Sequence, residues 1–277
     1  MAFTTPDRGS RRREHGILVD MIDPATRDYE GESPAVHHGP PHPCPYLPGR
    51  TAENEYLVLP RLPPDAYQSL MDRGFRRSGV VVYRPVCTGC RECVPIRIAV
   101  ADFKISRSQR RILRRNTDVT VRVDQPTFTE EKYRLFVAYL RTQHDGSMSE
   151  ARADFEEFLY QSPTTTLEMT YLLEGRLVAV GIVDLCPTAL SSVYFFFDPA
   201  FHRRSLGIFG GLCEIEECRR RGLSWWYLGY YVRDCGRMNY KACFRPHEML
   251  DAGGNWNRVD PTLHAVCPPP PSVGTRT

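Results

Sequence analysis

Apolar positions along this chain recur with two periods, and together they predict a series of short strands interrupted by a few helices. Glu55 to Pro60 (EYLVLP) reads as a strand, and Asp65 to Arg73 as a short helix opened by Pro63-Pro64 and stopped by Gly74. Strands are predicted at Val80 to Tyr83 and Val94 to Val100, on either side of CTGCREC (Cys87 to Cys93). Ser106 can cap a helix from Arg107 to Arg115, and Val119 to Val123 follows as a strand. After a second cap at Thr129, Tyr133, Phe136, Val137 and Leu140 recur at i, i+3, i+4 and i+7, the stripe of an amphipathic helix. Another helix is expected around Ala153 to Tyr160. Leu167 to Leu173 and Arg176 to Leu185 flank Glu174-Gly175, a tight-hairpin signal. Val193 to Phe197 (VYFFF) lacks polar alternation and is expected to be buried on both faces. A helix from Leu206 to Arg221 ends at Gly222 and leads to a strand from Trp225 to Val232.

These elements give an α+β chain in two domains. Residues 1–40, rich in Arg, Pro, Gly and His, show no apolar period and are expected to be disordered. Residues 41–125 form the smaller α+β N-terminal domain, which carries a cysteine cluster. Residues 126–265 form the second, in which antiparallel strands precede a β–α–β unit, and residues 266–277, with Pro268 to Pro271, form a second tail. The longest apolar runs fall far short of the ~20 residues that span a bilayer, so no membrane partner is expected. The first residues are polar and Arg-rich with no apolar core. A cytoplasmic location is expected, with the ten cysteines reduced or bound to metal rather than forming a disulfide framework.

Charge sharpens this picture. The formal net charge is +3, yet residues 101–125 alone hold seven Lys/Arg against three Asp. Arg107, Arg110, Arg111, Arg114 and Arg115 fall on one predicted helix with no acid among them, a pattern that suits phosphate contacts to a polyanion.

Two further motifs carry chemistry. Cys87, Cys90 and Cys93, with Cys44 upstream, can close around a metal centre. The tight spacing resembles iron–sulfur ligation, and four thiolates suit zinc equally well. Arg203 to Gly207, at the start of a helix, partly matches the R-x-x-G-x-G/A loop of GCN5-related acyltransferases: Arg204 and Gly207 fit, while Phe209 stands where Gly or Ala is expected.

Several longer stretches carry a family resemblance: CPYLPGR (Cys44 to Arg50), GFRRSG and VYRPVCTGCRECVPIRI (within Gly74 to Ile98), SLG, EIEECRRRGL and YLGYYV (within Ser205 to Val232), and RMNYKACFRP (Arg237 to Pro246). Through them the chain resembles the bacterial aminoacyl-tRNA–protein transferases related to arginyl-tRNA–protein transferase, and most closely the aspartate/glutamate leucyltransferase branch. Tyr231 stands where that family has Trp, and Asp234-Cys235-Gly236 replaces a more basic run.

The resemblance implies a second domain with an acyltransferase fold like that of the GCN5-related N-acetyltransferases. It also implies transfer of leucine from leucyl-tRNA to proteins with N-terminal Asp or Glu, feeding N-degron proteolysis. Arginine as donor with the same acceptors is the nearest alternative. A coenzyme A-dependent N-acetyltransferase is a more distant one; it would need a cleaner phosphate loop, and no coenzyme A is expected. The ester is already activated and an α-amine titrates near 7.7–8.0, so alignment and oxyanion donors matter more than a strong base. Candidates for reading the acidic N-terminus are Arg76, Arg77, Arg84, Lys241 and Arg245. Candidates for the tRNA end are Arg107, Arg110, Arg111, Arg114, Arg204, Ser205 and Gly207, with Trp226, Tyr230 and Tyr231 for its base or aminoacyl group. Tyr240 and Asp234 are the candidates for moving a proton, and Cys44, Cys87, Cys90 and Cys93 for holding zinc or an iron–sulfur cluster.

Overall fold

The computed structural model describes residues 35–143 and 148–259. In chain order the elements begin with β1 (His37–His38), β2 (His42–Pro43), β3 (Thr51–Ala52), β4 (Asn54–Val58), α1 (Pro64–Asp72), β5 (Arg76–Ser78), β6 (Val81–Pro85) and β7 (Val94–Ala99). They continue with α2 (Arg107–Arg115), β8 (Val119–Asp124), α3 (Glu130–Gln143), α4 (Arg152–Tyr160), β9 (Thr166–Leu173), β10 (Arg176–Leu185) and β11 (Ala189–Phe197). A 3₁₀ turn (Pro199–Arg204) leads into α5 (Leu206–Arg221) and β12 (Trp225–Tyr231). The described chain ends with α6 (Gly236–Asn239), a second 3₁₀ turn (Tyr240–Cys243), β13 (Glu248–Leu250) and β14 (Trp256–Arg258).

Nearly every predicted element is present. Ser106 caps α2 through a full capping box: its Oγ accepts from Gln109 N, and Ser106 N donates to Gln109 Oε1. The predicted strands and helices end within a few residues of their expected bounds. β1, β2, β3, β5, β13 and β14, each of two or three residues, had no periodic signal. The tail expected through residue 40 includes β1, which pairs with β4. Residues 1–34 of that tail, the 266–277 tail and residues 144–147 lie outside the described residues.

An eight-stranded mixed sheet in the order β14-β13-β7-β12-β11-β10-β9-β8 forms the centre. It draws β7 and β8 from before residue 125 and the rest from after it, so the expected domain boundary does not divide the sheet. A separate four-stranded sheet (β1-β4-β6-β5) and α1 pack beside it.

Alternation of side chains on the central strands feeds cores on opposite faces. One face carries α5: Leu206, Phe209, Leu212 and Ile215 meet Met169, Tyr171, Val178 and Trp226. The other carries α3 and α4, where Phe136, Leu140, Phe155 and Leu159 meet Val180, Ile182 and Phe196. Trp225 and Tyr227, flanking Trp226, turn instead toward the core beneath α1.

The close seating of α5 depends on two adjacent glycines. A Cβ on Gly210 would lie 2.3 Å from the Phe195 ring, and one on Gly211 would lie 2.6 Å from Phe244 and 2.8 Å from Trp226. These rings therefore lie against bare backbone, which brings the first turn of α5 down beside β11.

Candidate functional site

β11 and β12 are the two parallel neighbours in the middle of the sheet, and they part company halfway along. They pair at Ala189↔Trp225, Leu190↔Trp226 and Ser191↔Tyr227. Beyond that point no further pair forms between them, although β11 continues to Phe197 and β12 to Tyr231. Both strands bulge where they separate. Val193 is skipped in the β10–β11 register, Leu228 is skipped in the β12–β7 register, and Gly229 takes φ +86°. The expectation that VYFFF is buried on both faces therefore fails over part of its length: Val193, Tyr194, Phe195 and Phe197 are half-buried because they line the opening.

The opening is a cleft of about 920 Å³ that takes its walls from both ends of the chain. Two cations reach the gap between the strands. Arg76 Nη2 donates to Ser192 O on β11, and Lys241 Nζ donates to Tyr230 O on β12 at 2.8 Å. Both residues are 8% exposed. Arg76 has no carboxylate partner among the described residues; its other contact is Nη1 to Met71 Sδ at 3.6 Å. Burial, reinforced by the charge of Arg76, lowers the Lys241 ammonium to about 7. Glu214 lies behind Ser192, accepting from Trp226 Nε1 at 2.8 Å and lying 3.5 Å from Ser192 Oγ. Burial raises its carboxyl to about 7, against those two bonds and Arg76.

The start of α5 forms another part of the wall. Ser205, a non-glycine residue at φ 56° and ψ 47°, turns the chain into the helix without a side-chain cap. The N–H groups of Leu206 and Gly207 precede the helical ladder, and both residues face the cleft. A Cβ on Gly207 would meet nothing within 4 Å, so the space there is open to a ligand. α2 runs along this rim. Ser106, Ser108, Gln109 and Ile112 line the cleft, while Arg107, Arg110, Arg111 and Arg114 are exposed on its outer side. Arg115 donates to Arg203 O and Asn116 Nδ2 to Arg204 O, which ties the end of α2 to the turn before α5.

Of the remaining predicted residues, Arg245, Tyr230 and Tyr240 line the cleft. Tyr230 Oη donates to Gly74 O at 2.8 Å, and Arg245 Nε to Ala242 O at 3.1 Å. Burial raises the Tyr240 phenol above its ordinary range, so it stays protonated.

Others are committed elsewhere. Arg77 touches the cleft, but its guanidinium is fully buried in a two-point pair with Asp184, at 2.6 Å for each bond, and cannot also read a substrate acid. Arg84 pairs with Glu55 away from the cleft. Arg204 makes a two-point pair with Asp118, at 2.7 and 2.9 Å, so the arginine that matched the acyltransferase loop secures a turn. Trp226 is 2% exposed against Phe244, with its N–H given to Glu214, and Tyr231 packs into the α5 core. Asp234 is exposed beyond the cleft wall.

All four predicted thiols lie on the cleft wall. Cys44 Sγ accepts from Leu47 N, Cys87 Sγ from Glu53 N and Cys90 Sγ from Arg50 Nη1, each at 3.4 Å. Burial, and then the neighbouring Cys44, Cys87 and Cys90, push the Cys93 thiol up to about 12. The set is the soft-donor chemistry that zinc or an iron–sulfur cluster uses. Among the described residues no three His, Cys, Asp or Glu side chains are gathered tightly enough to hold an ion.

Sequence reasoning missed Ser192, Gly229 and Glu214, and also Tyr139 and Phe195, which line the cleft. The first three acquire their roles from the strand separation, a tertiary feature with no local signature. A glycine inside an apolar strand run was the one available hint of the bulge.

The family model described as "Arginine-tRNA-protein transferase, N terminus" matches residues 42–111, and its C-terminal counterpart matches residues 131–251. The chain is 45% identical over 214 residues to the aspartate/glutamate leucyltransferase of Pseudomonas fluorescens (strain SBW25), covering 76% of this chain and 91% of that one. It is 42% identical over 224 residues to the enzyme of the same name from Marinobacter nauticus, covering 79% and 94%. Among solved structures, FemX aligns with a TM-score of 0.41 at 8% identity, covering 73% of this chain and 80% of that one. The ribosomal-protein-S18-alanine N-acetyltransferase from Escherichia coli aligns at 0.28 and 18%, covering 38% and 63%. These structural likenesses are too loose to carry an argument. The matched family models cover both ends of the cleft, and the chain belongs to the arginine-tRNA-protein transferase family, as an aminoacyl-tRNA–protein transferase.

Proposed function

We propose that this enzyme moves leucine from leucyl-tRNA onto the α-amine of proteins that begin with Asp or Glu. The observation that carries the acceptor half is Arg76, a buried guanidinium in the cleft with no carboxylate among the described residues. A buried cation without a counter-ion is costly, and a substrate carboxylate relieves that cost while gaining charge-assisted hydrogen bonds. Lys241, which shares the gap, and Arg245 at its edge complete the acid-reading group.

The donor half rests on α2 and the start of α5. The exposed arginines of α2 bind acceptor-stem phosphates, and the first-turn N–H groups of α5 receive the 3′ end. The strand separation joins this side to the acceptor side, in the manner of an acyltransferase fold of the GCN5-related kind.

In the reaction, the neutral α-amine attacks the ester carbonyl, a C–N bond forms, and the carbonyl π electrons move onto oxygen. Backbone N–H groups freed by the strand separation are the donors available to this oxyanion. Collapse breaks the ester C–O bond, and the ribose oxygen leaves with a proton. Tyr240, which keeps its phenolic proton, supplies it and is recharged from the attacking ammonium. Zinc or an iron–sulfur cluster held by Cys44, Cys87, Cys90 and Cys93 would have to draw these thiols closer than they stand here. It would then cross-link the segment around Cys44 to the Cys87–Cys93 loop, and no step of the transfer passes through it.

Incubation of the protein with labelled leucyl-tRNA and an Asp-initiated peptide tests the reading. Labelled peptide is expected; label from arginyl-tRNA in its place would move the enzyme to arginine transfer, and tRNA binding without transfer would overturn the reaction.

A further inference from the structure

Resting on the transferase reading, we infer that Phe195 and Phe197 of β11, with Tyr139 of α3 and Ile208 of α5, form the pocket that selects the donor's aminoacyl side chain. All four residues line the cleft. Beyond the bulge at Val193 the register is regular, so strand alternation puts Phe195 and Phe197 on one side of β11, packed toward the α5 core, whereas Phe196 is buried among α3 and α4. The same wall continues into the open first turn of α5 and into Ile112 of α2, whose outer side bears the arginines. An aminoacyl group carried on a tRNA end that reaches α5 along α2 meets this wall first.

The wall is rigid. The Phe195 ring lies edge-on to Tyr171 at 5.4 Å and 74°, and its back rests on two glycines: a Cβ would fall 2.3 Å from it at Gly210 and 3.2 Å from it at Gly181. Tyr139 meets Phe197 edge-on at 5.1 Å and 63°. A ring held from behind cannot retreat to admit a larger side chain, so it limits size as well as polarity.

Charge on the wall agrees. Among the described residues, the one carboxylate lining the cleft is Glu92, set between Cys90 and Cys93 at the thiol end. Glu214 is buried behind the wall, with its oxygens turned to Trp226 and Ser192. A guanidinium entering the aromatic end would lose water and gain no counter-ion, while an isobutyl group would lose only water. The pocket thus accepts leucine and rejects arginine for a physical reason.

The test holds the tRNA body constant by charging one tRNA-Leu transcript with leucine, phenylalanine, norvaline or arginine and measuring transfer to an Asp-initiated peptide. Wild type is expected to prefer leucine. Phe195→Ala should raise phenylalanine relative to leucine by at least ~10-fold, the usual scale for added apolar bulk in a fitted pocket. Gly210→Ala pushes the ring into the cleft and should cost leucine more than norvaline. If Phe195→Ala does not fold, Phe195→Leu serves for the same ratio. Leucine transfer at a phenylalanine ratio unchanged within about twofold overturns the pocket assignment alone. Wild-type protein that transfers none of the four overturns the transferase reading and the pocket with it.

Discussion

Arg76 and Lys241 converge over Gly229: a Cβ built on that glycine would lie 3.5 Å from Arg76 Nε and 3.5 Å from Lys241 Nζ. Two cations this close repel, and each is held by a carbonyl that the strand separation exposed. Gly229→Ala combines an unfavourable φ of +86° with the loss of this space. The expected result is a raised KM for acidic peptides by ~10-fold or more with tRNA affinity unchanged, checked by steady-state kinetics alongside filter binding.

Arg77 and Asp184 illustrate the opposite case, a cation whose partner is internal. Both side chains are fully buried, and Thr166 Oγ1 also donates to Asp184 at 2.6 Å. Asp184→Asn leaves a buried guanidinium without its charge partner and should destabilise the fold by about 3–5 kcal/mol in denaturant unfolding, whereas Arg84→Ala, at the partly exposed pair with Glu55, should cost less, about 1 kcal/mol.

Glu214 makes stability depend on pH. Its carboxyl is raised from 4.5 to about 7 in the folded protein, first by burial. Between these values the folded state binds more protons than the unfolded chain, so stability falls as pH rises from about 4.5 to about 7. Glu214→Gln should flatten that fall by about 2 kcal/mol, read from unfolding curves at pH 5 and 7.5. A variant with the same slope as wild type would remove Glu214 from the account.

The exposed face of α2 predicts salt dependence. Arg107, Arg111 and Arg114 make no ion pair among the described residues. Replacing each by Gln should weaken binding of any tRNA and reduce the slope of log affinity against log salt by about 0.7–0.9 for each phosphate no longer neutralised. An unchanged slope in the triple variant would direct the tRNA elsewhere.

How much of this was legible in the sequence follows from the range of each interaction. Ser106 and Gln109 cap α2 within four residues of one another, and the periodicity of α3 is equally local, so both could be read directly. The arginine run was likewise visible as charge. Arg76 and Arg77 are neighbours in sequence with identical chemistry, yet one faces a cleft and the other Asp184, 107 residues away. Trp226 presented itself as an exposed-pocket aromatic because nothing near it in sequence announces Gly211, on which it rests. The cleft itself arises where two parallel strands stop pairing, and such a stop is set by bulges in two different strand pairs. Pattern within a single segment cannot show it.

The central claim is that a buried arginine reads the acceptor's acid, and its most direct test compares peptides differing only in their first residue. With leucyl-tRNA as donor, wild type is predicted to favour Asp over Asn by ~100-fold or more in kcat/KM, and Arg76→Gln to remove most of that preference while still binding tRNA. Equal use of Asp and Asn by wild type, or an undiminished preference in Arg76→Gln, would contradict it.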